Sequence, residues 1–350
     1  MPKAKKLPSG AWRARAFLGR DENGKQIVKS FTAKTRWEAE KAASNYLVDN
    51  KDEKPIKDPE PTVGEVVQEY IESRENILSP SSIRGYYVML RNTMDSIKDI
   101  RIDELTERDL QKWVNTNAGK YAPKSVKSQF SLTVAALRQF KVNLDYKMVL
   151  LPRKKKYNPL IPTEQQMATI LKMVEGTTVE LPVTIALTMG LRQSEIAALT
   201  WDDYDGKTLY IHSVLIPNKE GKFIIKDTTK SEASTRRLTV NELCKTRLDR
   251  ATHKSEYISP MLPSSVLKKF QRLCKDNGLP KFTMHGQRHA NASVMLAEGV
   301  PDKYAMERLG QSSPNMIKDV YQHLFDSKRT EVSDTISNKF QSIVDTSVDT

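Results

Sequence analysis

The chain has 350 residues, of which 38% are apolar, and its 56 lysines and arginines outnumber 43 acidic residues to leave a formal charge of +13. That length suits two or three small domains with real cores, and the basic balance, with a pI near 9.4, points to a polyanionic partner such as nucleic acid. Two cysteines, Cys244 and Cys274, exclude a disulfide framework and a thiolate zinc site, and the basic start is followed by no apolar run of signal-peptide or membrane-spanning kind, so an intracellular location is expected.

Apolar and polar residues alternate over 12–18, a second strand-like run covers 26–31, and Asp21-Glu22-Asn23-Gly24 between them makes a turn. The reading is a β-hairpin with Arg13 and Arg15 on the face opposite Trp12, where they are either groove or phosphate contacts or part of a solvated face. Thr35 and Glu38 form a capping box ahead of Ala39, Ala42, Ala43, Tyr46 and Leu47 at one-face helical spacing. The first unit, residues 1–50, is therefore a ββ(β)α arrangement. Charge and three prolines between 50 and 61 mark a linker, assigned to 51–61.

A helical unit follows over 62–152. Thr62 and Glu65 cap a helix with Val63, Val66, Val67, Tyr70 and Ile71 on its apolar face. Pro80 after Ser79 opens a second helix, carrying Ile83, Tyr87, Leu90, Met94 and Ile97; Thr106 caps a third, carrying Leu110 and Trp113; Pro123 opens a fourth, carrying Val126, Phe130, Leu137 and Phe140. Arg153, Lys154, Lys155 and Lys156 then make an exposed basic connector, 153–160, suited to lie along DNA. The remainder is mixed, with helices at 163–174 and 181–189, strands at 208–215, 222–225 and 236–240, and helices from there to about Lys339.

Three pieces of this last part carry chemistry. Gly190-Leu191-Arg192-Gln193-Ser194-Glu195 sets an arginine in a glycine turn between apolar helices; alone, such an arginine is more readily the ion-pair partner of Glu195 or another acid than a phosphate ligand. In His285-Gly286-Gln287-Arg288-His289, residues 285, 288 and 289 share a face if the segment is helical. Leu309-Gly310-Gln311 is followed ten positions after Gln311 by Tyr321. Zinc at His285 and His289 lacks a third ligand, Asp202 and Asp203 read as a turn cap in place of a magnesium site, no P-loop is present, and Met284, Met295 and Met306 read as core filler.

In this order and spacing the three pieces resemble the tyrosine recombinase family, phage and conjugative-transposon integrases among them. The resemblance spans essentially the whole chain. It implies a multidomain α+β protein. A small N-terminal three-stranded sheet plus helix would bind arm-type DNA sites, an all-α bundle would form the core-binding domain, and a mixed, mainly α catalytic domain with a small antiparallel sheet would cover 161–332. A tail, 333–350, with Ile336, Phe340 and Ile343, would dock onto a neighbouring protomer or fold back. The implied catalytic set is Arg192, Lys230, His285, Arg288, Gln311 and Tyr321, where Lys230, in Thr228-Thr229-Lys230-Ser231, matches the family's hairpin lysine more loosely.

The implied reaction breaks a phosphodiester through a 3′-phosphotyrosine, without metal, nucleotide or other cofactor. Double-stranded attachment sites, a homotetramer on DNA, an excisionase-like directionality factor and a host DNA-bending protein are the implied partners. Gln311 departs from the family, which usually carries histidine or tryptophan there; an amide donates a hydrogen bond but carries no charge. Competing readings are a type IB topoisomerase, disfavoured by the separate N-terminal unit, a DNA-binding regulator that has lost strand exchange, and a basic protein that binds nucleic acid by charge alone.

Overall fold

The computed structural model describes residues 2–20, 26–49, 60–153, 160–227, 235–311, 337–338 and 340–341. The chain divides into two compact units, Met1–Lys155 and Lys156–Thr350. Among the described residues no helix is long and apolar enough to cross a membrane.

In the first unit, strands β1 (Lys5–Lys6), β2 (Trp12–Arg20) and β3 (Gln26–Ala33) form an antiparallel sheet in the order β1-β2-β3, and α1 (Arg36–Asp49) packs on one face. The period of two decides what each face carries: Ala14 and Ala16 are buried, while Arg13, Arg15 and Phe17 point outward. The register sets Lys5 and Thr32 either side of Arg13, and Ser30 beside Arg15, giving a basic and polar outer face. The third strand precedes the expected hairpin; two residues are too few to show a period. Small residues bring helix and sheet close, Ala39 and Ala43 meeting the β2 alanines, with Phe31 and Tyr46 rings 5.3 Å apart. The Thr35–Glu38 capping box forms as expected. Ala42, expected on the buried face, is exposed, because the stripe Ala39, Ala43, Tyr46 and Leu47 that covers so small a sheet is narrow and Ala42 falls beyond its edge.

The same unit contains the bundle α2 (Val63–Glu72), α3 (Pro80–Thr93), α4 (Glu107–Ala118) and α5 (Pro123–Gln139). Thr62 with Glu65 and Thr106 with Asp109 close reciprocal capping boxes, and Pro80 and Pro123 occupy first-turn positions where a missing N–H costs nothing. Val63, Val66, Val67, Ile71, Ile83, Met94, Ile97, Leu110, Trp113, Val126 and Leu137 fill its core. One polar junction lies inside it. The Thr93 carbonyl, orphaned at the end of α3, accepts from Trp113 Nε1 at 2.5 Å and Asn117 Nδ2 at 3.0 Å, both on α4. Beyond α5, the Gln111 side chain pairs with both the N–H and the carbonyl of Leu150, holding the chain three residues before the exposed Arg153.

The second unit runs α6 (Glu164–Met173), α7 (Glu180–Thr184), α8 (Gln193–Ile196), β4 (Thr208–Ile211), β5 (Ser213–Pro217), β6 (Phe223–Asp227), β7 (Arg236–Thr239), α9 (Glu242–Asp249), α10 (Pro263–Asp276), α11 (Met284–Ala297) and α12 (Asp302–Leu309). The expected 208–215 strand breaks at His212: β4 pairs with β7 and β5 with β6, so the described residues of this unit form two two-stranded antiparallel sheets. The expected helix at 181–189 starts as α7 but widens into a π turn over Ile185–Met189. One core unites α6, the π turn, both sides of the β4–β7 pair, α9 and α10, with Met284 filling space inside it as expected.

Trp113→Ala is expected to destabilise the bundle by about 3–5 kcal/mol, because it opens a cavity and strips one of two donors from a buried carbonyl. Urea titration of the full chain by far-ultraviolet circular dichroism measures it; a shift below about 1 kcal/mol would contradict this packing.

Candidate active site

The π turn ends in Gly190 at φ 73°, in the left-handed region, and glycine is required twice over. A Cβ there would lie 2.6 Å from Asn291 Oδ1 and 2.7 Å from a Leu309 methyl carbon. This close approach seats the loop before α8 between α11 and α12. Asn291 also donates Nδ2 to the Leu187 carbonyl at 3.0 Å, satisfying an acceptor inside the π turn.

Arg192 caps α8, and Glu195, three residues on, folds back to it: Oε2 accepts the Arg192 N–H at 2.7 Å and Oε1 accepts Arg192 Nη1 at 2.7 Å. Glu195 is buried, at 1% exposure. Arg236, entering from the start of β7, offers the same carboxylate two further donors, Nη1 to Oε1 at 3.3 Å and Nη2 to Oε2 at 3.1 Å. Arg288, fully buried on α11, brings its Nη1 to 4.0 Å from Oε2. One carboxylate therefore sits among three guanidinium groups.

The same three arginines terminate α12. Arg236 Nε donates to the Arg308 carbonyl at 2.9 Å, Arg288 Nη2 to the Leu309 carbonyl at 2.5 Å, and Arg192 Nη2 to the Gly310 carbonyl at 2.9 Å. Carbonyls at a helix C-terminus lack intrahelical donors and carry the negative end of the helix dipole, so three cations on three successive carbonyls are a strong cap. Arg288 Nη1 donates to the Gly190 carbonyl at 2.7 Å, closing the ring from the glycine turn through α11 to α12.

Burial alone would raise the Glu195 pKa, but Arg236 and then Arg192 outweigh it and hold the carboxyl below its ordinary value. Its contribution to stability is present above the unfolded carboxylate pKa and is lost as pH falls through the folded one. Burial, with Arg192 adding to it, pushes the Arg288 guanidinium down to about 9, still protonated at neutral pH. Arg192 is the accessible member of the cluster, with 37% of its side chain exposed.

His285 and His289 lie one helical turn apart on α11, rings edge to face at 4.5 Å; His289 is buried and His285 stands at the exposed rim. Partial desolvation, then the charges of Arg288 and Arg192, depress the His285 pKa below the ordinary imidazole value. The ring is neutral at neutral pH and offers a nitrogen that accepts a proton.

Arg192, His285 and Arg288 are thus grouped, and Gln311 follows directly on Gly310, its N–H bonded to the Met306 carbonyl at 2.9 Å. Lys230, Tyr321, Lys154, Lys155 and Lys156 lie outside the described residues, as do the turn at 21–24 and most of the linker and tail. Arg13 and Arg15 sit on the outward face of the N-terminal sheet. The expected turn-cap role of Asp203 is present: its Oδ2 accepts the Thr200 N–H at 2.9 Å. No group of three potential metal ligands occurs among the described residues.

Two members of the cluster were not singled out by the sequence. The sequence points to Glu195 only as a partner for Arg192 and gives Arg236 no role of its own, although its setting, Ser234-Thr235-Arg236-Arg237 at the head of a strand, is the signal for it.

Chemically, the cluster presents a partly exposed guanidinium, held rigid by a buried carboxylate and backed by two buried cations, beside a neutral imidazole. Such a combination has the chemistry to bind a phosphodiester, to stabilise added charge on non-bridging oxygens and to accept a proton close by. By nuclear magnetic resonance titration, the His285 midpoint is expected below that of a free imidazole and is expected to rise in Arg192→Gln, which removes one of the depressing charges; a midpoint at or above the free value would contradict the arrangement.

Residues 162–328 match the phage integrase family, and 62–117 match the phage integrase N-terminal SAM-like domain. A tyrosine recombinase XerC-like protein of Caldanaerobacter subterraneus subsp. tengcongensis is 23% identical over 376 residues, 94% of this chain and 96% of that protein. The Tn1549 transposon integrase in complex with transposon right end DNA shares the fold, with a TM-score of 0.64 at 20% identity over 78% of this chain and 98% of that one. A lambda integrase tetramer bound to a Holliday junction does so with a TM-score of 0.59 at 18% identity, over 91% and 94%.

Proposed function

The chain belongs to the phage integrase family and is a tyrosine recombinase, an enzyme that breaks and rejoins DNA; from that premise we propose a residue-level mechanism and a set of partners. The observation that carries the mechanism is the convergence of three arginines and Glu195 on the end of α12, twelve residues before Tyr321.

Arg192, the accessible arginine, holds the scissile phosphate through paired N–H donors, a geometry that lysine does not reproduce, while Arg288, buried with its η nitrogens on the Gly190 and Leu309 carbonyls, adds its positive charge from behind in place of the direct grip expected of it. Tyr321 attacks phosphorus through its phenolic oxygen, forming the 3′-phosphotyrosine bond as the P–O5′ bond breaks. The phenolic proton passes to His285, which is neutral and able to take it, or His285 holds a phosphate oxygen; Lys230 delivers a proton to the departing 5′ oxygen. Attack by a 5′ hydroxyl from another duplex reverses these steps, and the conserved bond energy makes nucleotide hydrolysis unnecessary. Gln311 donates a hydrogen bond to a non-bridging oxygen without adding charge, which lowers the rate without abolishing it.

The division into an arm-binding unit at 1–50, a linker at 51–61, a core-binding bundle at 62–152, a connector at 153–160, a catalytic domain at 161–332 and a tail at 333–350 belongs to the same proposal. The outward face of the N-terminal sheet, with Arg13 and Arg15, contacts accessory sites, while Arg153, Lys154, Lys155 and Lys156 run along phosphates. Four protomers act on two attachment sites of a phage or other mobile element in a bacterial cytoplasm, with an excisionase and a host DNA-bending protein setting direction. The Tn1549 integrase bound to transposon right end DNA and the lambda integrase tetramer bound to a Holliday junction support this reading.

The test is a nicked suicide duplex carrying the cognate site, incubated without metal or nucleotide and run on a denaturing gel. A covalent protein–DNA band that is lost in Tyr321→Phe is expected. Because Gln311 stands where the family usually carries histidine or tryptophan, the second reading is a regulator without strand exchange; site-specific binding with no adduct at any protein concentration would favour it.

A further inference from the structure

We infer that Arg236 is a positioning residue for DNA cleavage, holding Glu195 and the end of α12 so that the Arg192 charge stays available to the phosphate. The inference rests on Arg192 being a phosphate ligand.

Arg236 opens β7, paired with Ile211 of β4, and its side chain is 6% exposed. That side chain lies buried inside the unit. Its guanidinium is spent inside the protein: both η nitrogens face the Glu195 carboxylate, and Nε is bonded to the Arg308 carbonyl. The consequence for Arg192 is electrostatic. Glu195 lies 2.7 Å from Arg192, and with Arg192 as its only ion-pair partner the carboxylate would cancel most of that arginine's charge at the place where a phosphate must be stabilised. Arg288 does not relieve this, because its nearest nitrogen is 4.0 Å away and its η donors go to the Gly190 and Leu309 carbonyls. With Arg236 paired to both carboxylate oxygens, the cluster keeps a surplus of positive charge, and Arg192 is its accessible edge.

The geometric consequence follows from the same side chain. Arg236 bonds the first of the three terminal carbonyls of α12, while Arg192 bonds the third, so one residue ties the register of Gly310 and Gln311 to the orientation of Glu195. A lysine has the charge but not the three-way fork that spans both acceptors.

The experiment uses the full-length chain and the nicked cognate duplex, with affinity and single-turnover cleavage measured separately for wild type, Arg236→Gln, Arg236→Lys and Arg192→Lys. Each is then repeated on a duplex whose scissile linkage is a methylphosphonate, which lacks the phosphodiester charge. Arg236→Gln is expected to bind within about threefold of wild type, to cleave the phosphodiester about 100-fold more slowly, and to lose less than about tenfold on the methylphosphonate. A merely structural defect would slow both substrates alike, so equal losses, weakened binding or a wild-type rate would overturn the inference. Should the glutamine variant not fold, Arg236→Lys, which keeps a cation against Glu195, carries the test: a phosphodiester rate about tenfold down with affinity unchanged supports the inference, and a wild-type rate overturns it. Wild-type cleavage by the Arg236 variants with a slow Arg192→Lys would sink the inference alone; wild-type cleavage by Arg192→Lys as well would sink the reading of Arg192 on which it rests.

Discussion

The buried carboxylate of Glu195 is the constraint on which the second unit of this protein depends. An ionised acid at 1% exposure is tolerated only among matched donors and cations, and here they come from three places far apart in sequence: hydrogen-bonding arginines at the start of α8 and the start of β7, and a third cation 4.0 Å away on α11. Bringing Arg192, Arg236 and Arg288 to one point fixes the mutual placement of those elements. The same arginines then saturate the last carbonyls of α12, so the chain leading to Tyr321 starts from a defined position.

Stability and chemistry are coupled through this arrangement. Cations crowded in low dielectric repel one another, and the fold accepts that repulsion because Glu195 and three helix-terminal carbonyls offset it. What remains is a rigid, positively charged surface edge at Arg192 with a neutral imidazole, His285, beside it. Donors fixed before the substrate arrives need no reorganisation when charge builds on the phosphate, which is the condition under which electrostatic stabilisation lowers a barrier most. The glycine turn serves the same end, since the absence of a Cβ at Gly190 lets Asn291 and Leu309 close on it.

Much of this was legible in the sequence, and the failures have identifiable causes. Capping boxes at Thr35 and Thr62, the cap at Thr106, first-turn prolines at Pro80 and Pro123 and apolar stripes behind them placed the elements of the first unit, because these signals are local. The expected third strand of the N-terminal sheet is present, but its place at Lys5–Lys6 escaped because two residues show no period. The π turn at Ile185–Met189 escaped because its apolar run reads the same as an α-helix, and the break at His212 because Ile211 and Ser213 find different partners, Arg236 and Asp227, which only tertiary structure decides. Within the site, motif order singled out Arg192, His285 and Arg288, yet nothing in the spacing said that Arg288 points wholly inward or that Arg236 shares Glu195 with Arg192.

The most direct test of the central role of Glu195 is the unfolding free energy of Glu195→Gln, followed by urea titration at neutral pH and again in acid. Removing one partner of a buried charge cluster leaves its cations uncompensated, so a loss of about 3–5 kcal/mol is expected at neutral pH, narrowing in acid as the wild-type carboxylate itself takes up a proton. A variant as stable as wild type at neutral pH would contradict the account, because the three arginines would then be held by something other than this carboxylate.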